Sequence, residues 1–167
     1  MKYDRSKQQG MILLASDHRK GLWANTLITT QSKPIRTGGQ MSTATSAHTL
    51  QTVGLAAAMR SILNRDASTL AADAGLSKPR LLVTSEDEDF LASLSSLTNG
   101  RAPEKPLKTG KNFYTLLVGQ LRRFDVDWVP LPEDDPTGLI LKRWVQKTMP
   151  NPKYVSGIYP SVAGQVA

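Results

Sequence analysis

One helical stripe constrains this chain more than any other feature. Leu55, Ala58, Met59, Ile62 and Leu63 recur at i, i+3, i+4, i+7 and i+8, a single apolar face that needs a sheet to cover it. Gln51 lies one turn ahead of Leu55 on the same stripe, so it is expected to point inward near the ends of strands. The strands are readable on either side of this helix. Met11-Ile12-Leu13-Leu14-Ala15-Ser16-Asp17 and Leu22-Trp23-Ala24-Asn25-Thr26-Leu27-Ile28-Thr29-Thr30 precede it, and Leu81-Leu82-Val83-Thr84 follows it. Asp125-Val126-Asp127-Trp128-Val129 alternates with period two, as a strand does.

Further helices fill the gaps. Ser85-Glu86-Asp87-Glu88 has the spacing of a capping box, which starts a helix there, and Phe90, Leu91, Leu94 and Leu97 continue it to Thr98-Asn99-Gly100. Residues 113–124 read as a helix turning Phe113, Leu116, Leu117, Gln120 and Leu121 toward the core. Asp135 as N-cap with Pro136 in the first turn opens a last helix that Pro150 stops. Residues 67–75 have the pattern of a short additional helix. The resulting order, β-β-β-α-β-α-(α)-β-α, predicts an α/β domain. Its sheet is mixed and five-stranded, three antiparallel strands plus two parallel ones, with helices on both faces. The expected organisation is a flexible N-terminus over residues 1–8, one domain over 9–149, and a tail over 150–167 to which no fold is assigned.

At 167 residues and 40% hydrophobic, the chain is long enough for one substantial core. No stretch approaches the roughly 20 apolar residues of a membrane span, and residues 1–10 lack the apolar run of a secretory signal. The default expectation is therefore intracellular and cytoplasmic. The absence of cysteine excludes disulfides and thiolate metal sites. The formal charge of +7 is unevenly spread: between Arg101 and Arg123 stand Arg101, Lys105, Lys108, Lys111, Arg122 and Arg123 against the single acid Glu104. Such a cluster is a candidate footprint for phosphates.

Five segments in order resemble the ribonuclease H superfamily: the first and second strands, the segment Ser46-Ala47-His48-Thr49-Leu50-Gln51-Thr52-Val53-Gly54-Leu55-Ala56, the strand ending Thr84-Ser85, and Asp127-Trp128-Val129-Pro130-Leu131. The resemblance covers about residues 9–148 and implies the fold already described. It also implies four metal-binding carboxylates, and at those positions this sequence reads Ser16, Gln51, Ser85 and Leu139. The family's hydrolysis holds two Mg²⁺ between carboxylates. Mg²⁺ prefers anionic oxygen, so this set offers it no charge. The expectation is a catalytically inactive domain with no metal and no cofactor.

Binding of structured nucleic acid, RNA or an RNA/DNA hybrid, is then expected to rest on Arg19, Lys20, Lys105, Lys108, Lys111, Arg122 and Arg123. Ser46, His48 and Gln51 would line the former catalytic groove. Of the two histidines, His18 lies beside Arg19 and Lys20, where it could meet phosphate, and His48 reads as a polar surface residue of a helix's first turn. Gly38-Gly39 reads as a turn, and Trp23, Trp128 and Trp144 as core. Two alternatives stand beside this reading. One is a protein-interaction scaffold or inhibitor that engages a partner protein through the tail near Tyr154 and Tyr159. The other is a residual nuclease using Mg²⁺ or Mn²⁺ at Asp17, Glu86 and Asp134 or Asp135. Against the nuclease, successive strand residues point to opposite faces, which turns Asp17 away from Ser16.

Overall fold

The computed structural model describes residues 8–30, 33–65, 75, 78–100, 111–148 and 154–158, with side chains at 64, 65, 111, 112, 148 and 154–158 excepted. Its strands are β1 (Gly10–Asp17), β2 (Leu22–Thr29), β3 (Ile35–Gln40), β4 (Arg80–Ser85), β5 (Asp125–Pro130) and β6 (Tyr154–Ile158). They form one mixed sheet in the order β5-β4-β1-β2-β3-β6. β1, β2 and β3 pair antiparallel, and β4 joins β1 in parallel and carries β5 in parallel on its other side.

The five expected strands are present, and a sixth comes from the tail: Tyr154–Ile158 pairs antiparallel with β3. The sheet therefore does not stop at residue 149. At the other end of the chain, Gln8 Nε2 donates to Asp127 Oδ2 at 2.8 Å, which ties the start of the described chain to β5. The short helix expected over 67–75 lies outside the described residues except for Gly75, as does the loop over 101–110.

Central β1 is buried on both faces. Ile12 and Leu14 pack with one apolar cluster, and Met11 and Leu13 with another. The first cluster is closed by α1 (Ala47–Arg65), α2 (Glu88–Thr98) and α3 (Lys111–Leu121). The second is closed by α4 (Pro136–Arg143) and the π-helical turn Trp144–Thr148 that continues it. Helices thus cover both faces. In α1 the expected stripe is buried: Leu55, Ala58, Met59 and Ile62 are at most 2% exposed. Each large side chain among them contributes about 1.5–3 kcal/mol. Buried Asn25 on β2 donates to the Gly54 carbonyl at 2.8 Å, locking α1 to the sheet at its closest approach.

Three local expectations are corrected. The second helix starts at Glu88 with Asp87 as N-cap, because Ser85 still belongs to β4, where it pairs with Pro130. α3 is rotated: Tyr114, Leu117, Val118 and Leu121 are buried, while Phe113 and Leu116 face outward. The rotation follows from Tyr114, whose hydroxyl reaches Thr52 Oγ1 on α1 at 3.2 Å. Gly38 and Gly39 are not a turn but part of β3. A Cβ on Gly39 would sit 2.8 Å from the Trp23 indole, which lies across it from β2. The last helix opens as read, with Asp135 accepting from the Gly138 N–H at 2.9 Å and Pro136 in the first turn.

Candidate functional site

The carboxyl ends of the interior strands β1 and β4 meet the first turns of α1 at one end of the sheet. Ser16 is the next-to-last residue of β1, opposite Trp23 of β2, and Ser85 is the last of β4. Gln51, 5% exposed on α1, spans them. Its Nε2 donates to Ser16 Oγ at 3.0 Å, and its Oε1 accepts from Ser85 Oγ at 2.7 Å. Ser85 Oγ in turn accepts from the Asp87 N–H at 3.0 Å. Three of the four singled-out positions therefore form one continuous hydrogen-bonded chain. Leu139 does not join it: the side chain is 48% exposed, on a helix whose inward residues are Thr137, Gly138 and Leu141.

The chemistry of this set is that of a lock. Gln51 Nε2 has its acceptor in Ser16 and Gln51 Oε1 its donor in Ser85, so the amide is satisfied without charge. A Mg²⁺ ion would have to break these bonds and would find only neutral oxygens in exchange. The residues present do not fit the metal pair of a ribonuclease H-like hydrolase.

Asp17, Glu86, Asp87 and Asp135 are engaged or turned away, and Asp134 is exposed ahead of α4. β1 remains a strand through Asp17, which places that side chain on the α4 face, opposite Ser16. Glu86 pairs with Lys142 at 3.3 Å. Asp87 and Asp135 are N-caps, accepting from the Phe90 and Gly138 N–H groups. Among the described residues, no three His, Cys, Asp or Glu side chains are arranged to hold a metal ion.

His48 is half-buried rather than a free surface residue. Its ring meets Phe90 edge-on at 5.5 Å, and its Nε2 is buried without a hydrogen-bond partner. Burial lowers its pKa below the ordinary histidine value, an effect partly offset by Asp87 and Asp89 at the start of α2. Ser46 is the N-cap of α1, its Oγ accepting from the Thr49 N–H at 3.1 Å.

The expected basic residues do not share one surface. Arg122 caps α2 from its far end, Nε donating to the Thr98 carbonyl at 3.1 Å and a terminal nitrogen to that of Leu97. Arg122 and exposed Arg123 precede Asp125, which pairs with Arg80 at the start of β4. That is about 17 Å along the sheet from Ser85. Lys111 opens α3, while Lys105 and Lys108 lie outside the described residues.

Arg19 and Lys20 do remain at the same end of the sheet as Ser16. The turn between β1 and β2 is held by Gly21, whose φ of +67° suits glycine and whose N–H donates to the His18 carbonyl at 3.3 Å. Lys20 Nζ donates to the Gln146 carbonyl in the π-helical turn at 2.9 Å. Between them lies an open groove of about 470 Å³, floored by Leu22 and Val145 and lined by Arg19, Lys20, Gln40, Thr43, Gln146 and Lys147. Three cations and no acid line it. Arg36 sits nearby, its guanidinium 5.2 Å from the centre of the Trp144 ring. Sequence reading missed Lys147, Gln40, Thr43 and Gln146. The run Lys142, Arg143, Lys147 in the last helical turns was the available signal.

No protein-family model matches the chain, and no curated protein matches it significantly in sequence. No helix among the described residues is long and apolar enough to cross a membrane.

Proposed function

We propose that this chain is a non-catalytic ribonuclease H-like domain that binds structured nucleic acid, RNA or an RNA/DNA hybrid, through phosphate contacts at the end of the sheet carrying Arg19, Lys20 and Lys147. The observation that carries the reading is the Ser16–Gln51–Ser85 chain of hydrogen bonds. It occupies the place where a nuclease of this architecture needs negative charge, and it does so with a closed neutral network. The mixed pairing of β1 to β5 and the helices on both faces support the reading, and β6 is an addition that the resemblance does not imply. The cationic groove lies at the same end of the sheet but on its α4 face, across the sheet from the Ser16–Gln51–Ser85 network, and it supplies what phosphate recognition needs: point charges, amide donors and a hydroxyl on a concave surface.

Contacts of this kind read shape and charge rather than base sequence. Affinity should therefore fall steeply with salt, and each cation removed should lower the salt slope by about one. The test is the anisotropy of a labelled RNA/DNA hybrid in EDTA between low and moderate salt. Wild type should bind at low salt and weaken steeply, and Arg19→Glu/Lys147→Glu should lose most of the affinity while unfolding at the wild-type temperature. A flat salt dependence, or affinity unchanged in the double variant, contradicts the proposal.

A further inference from the structure

The outward side of α3 carries features that neither the core nor the cationic groove uses. Phe113 is 40% exposed and Leu116 63% exposed, one turn apart on the same side of the helix. One further turn along stands Gly119, also exposed. Glycine inside a helix is unfavourable relative to alanine, and a Cβ at this position would meet nothing within 4 Å. Nothing among the described packing of the chain itself therefore calls for glycine there. A glycine on an open helical face fits the close approach of a second backbone from outside.

Charge narrows the choice of occupant. α3 contains no acidic residue; Lys111 opens it and Arg122 and Arg123 follow it. Arg122 is committed to the end of α2, which leaves exposed Arg123, one turn beyond Gly119, facing outward. A second copy would bring the same helix, which carries no acidic residue to meet Arg123. A bilayer asks for a wider apolar face than two side chains. Nucleic acid would meet the cations but leave Leu116 with no apolar contact.

We propose that this face docks an acidic amphipathic helix of a partner protein. Phe113 and Leu116 are the apolar anchors, Gly119 is the notch that lets the helices close, and Arg123 meets a carboxylate. The inference is independent of the nucleic-acid reading, since it uses none of the same residues.

The test uses the full chain and two labelled helical peptides with the same Leu/Ala face, one flanked by Glu and one by Lys. The Glu peptide should bind at least tenfold more tightly than the Lys peptide. Leu116→Glu should weaken it at least tenfold. Gly119→Leu is the deciding variant, because leucine favours helix and the space is open. It should unfold at or above the wild-type temperature and still lose the peptide. Equal affinity for the two peptides, no binding of either, or Gly119→Leu binding like wild type overturns the proposal. So does finding that Leu116→Glu impairs partition onto anionic vesicles or binding of the RNA/DNA hybrid while sparing the peptide.

Discussion

Ser85, the last residue of β4, donates a hydrogen bond to Gln51 Oε1 on α1 at 2.7 Å, and the same amide donates through Nε2 to Ser16 on β1. One side chain thus ties a helix to two parallel strands. Removing it leaves the fully buried Ser85 hydroxyl without its acceptor, at a cost of about 1–3 kcal/mol plus lost packing. Gln51→Ala should therefore lower unfolding stability by roughly 2–4 kcal/mol in urea titrations. Ser16→Ala, at a half-buried position, should cost less, about 1 kcal/mol.

Gln51→Glu gives a pH signature with a definite sign. The carboxylate would be buried beside neutral hydroxyls, so its folded pKa should rise above the unfolded value of about 4.3. A carboxyl with a raised folded pKa is tolerated while protonated. The variant should thus approach wild-type stability near pH 4 and fall progressively behind as pH rises through the folded pKa. Urea midpoints of both proteins across pH 4–8 measure this.

His48 gives a second pH dependence, of the opposite sign. Burial disfavours its charged form, with partial compensation from Asp87 and Asp89. A histidine with a lowered folded pKa loses stability as pH falls below its unfolded value of about 6.5. Between pH 7.5 and 5.5 wild type should lose more stability than His48→Leu, which has no proton to take up there. Equal losses would show that the ring is solvated in solution.

Gly39 is required by Trp23. The Cβ of Gly39→Ala would lie 2.8 Å from the indole, so the ring or β3 must shift. Overpacking of this kind costs about 1–3 kcal/mol. Trp23 is 5% exposed and sits opposite Ser16, so its fluorescence should redden in the variant as the indole moves.

Charge introduced into the network should create an affinity for metal. Ser16→Asp/Gln51→Glu/Ser85→Asp should be less stable than wild type in EDTA through repulsion among close carboxylates. Mn²⁺ at a hundredfold excess over its Kd should raise its melting temperature by roughly 5–10 °C, since only the folded form presents the site. Wild type should show no such rise.

Much of this site was legible in the chain because it depends on periodicity. The stripe Leu55, Ala58, Met59 and Ile62 fixed the direction of Gln51, and strand alternation separated Ser16 from Asp17. Asp135-Pro136 named its helix start through local hydrogen bonding alone. α3 was misread because two helical stripes share Leu117 and Leu121, and the choice between them lies in the contact of Tyr114 with Thr52, 62 residues away. Ser85 and Asp87 are both good N-caps in sequence. Pairing with β5 holds Ser85 in the strand and leaves the cap to Asp87. The cationic groove was only half visible, since Lys147 joins Arg19 and Lys20 by folding and not by proximity along the chain. β6 escaped because its pairing is set by β3 and not by any pattern of its own.

On the proposed reading, the site at Ser16, Gln51 and Ser85 is neutral by construction, and Arg19, Lys20 and Lys147, on the other face of the same end of the sheet, bind phosphate without chemistry. The most direct measurement is a time course of a labelled RNA/DNA hybrid with excess protein in Mn²⁺ and in EDTA, reading retention and strand length together. Equal retention in both and intact strands throughout are the expected result. Strand cleavage in Mn²⁺ that EDTA abolishes, or no retention at low salt, would contradict it.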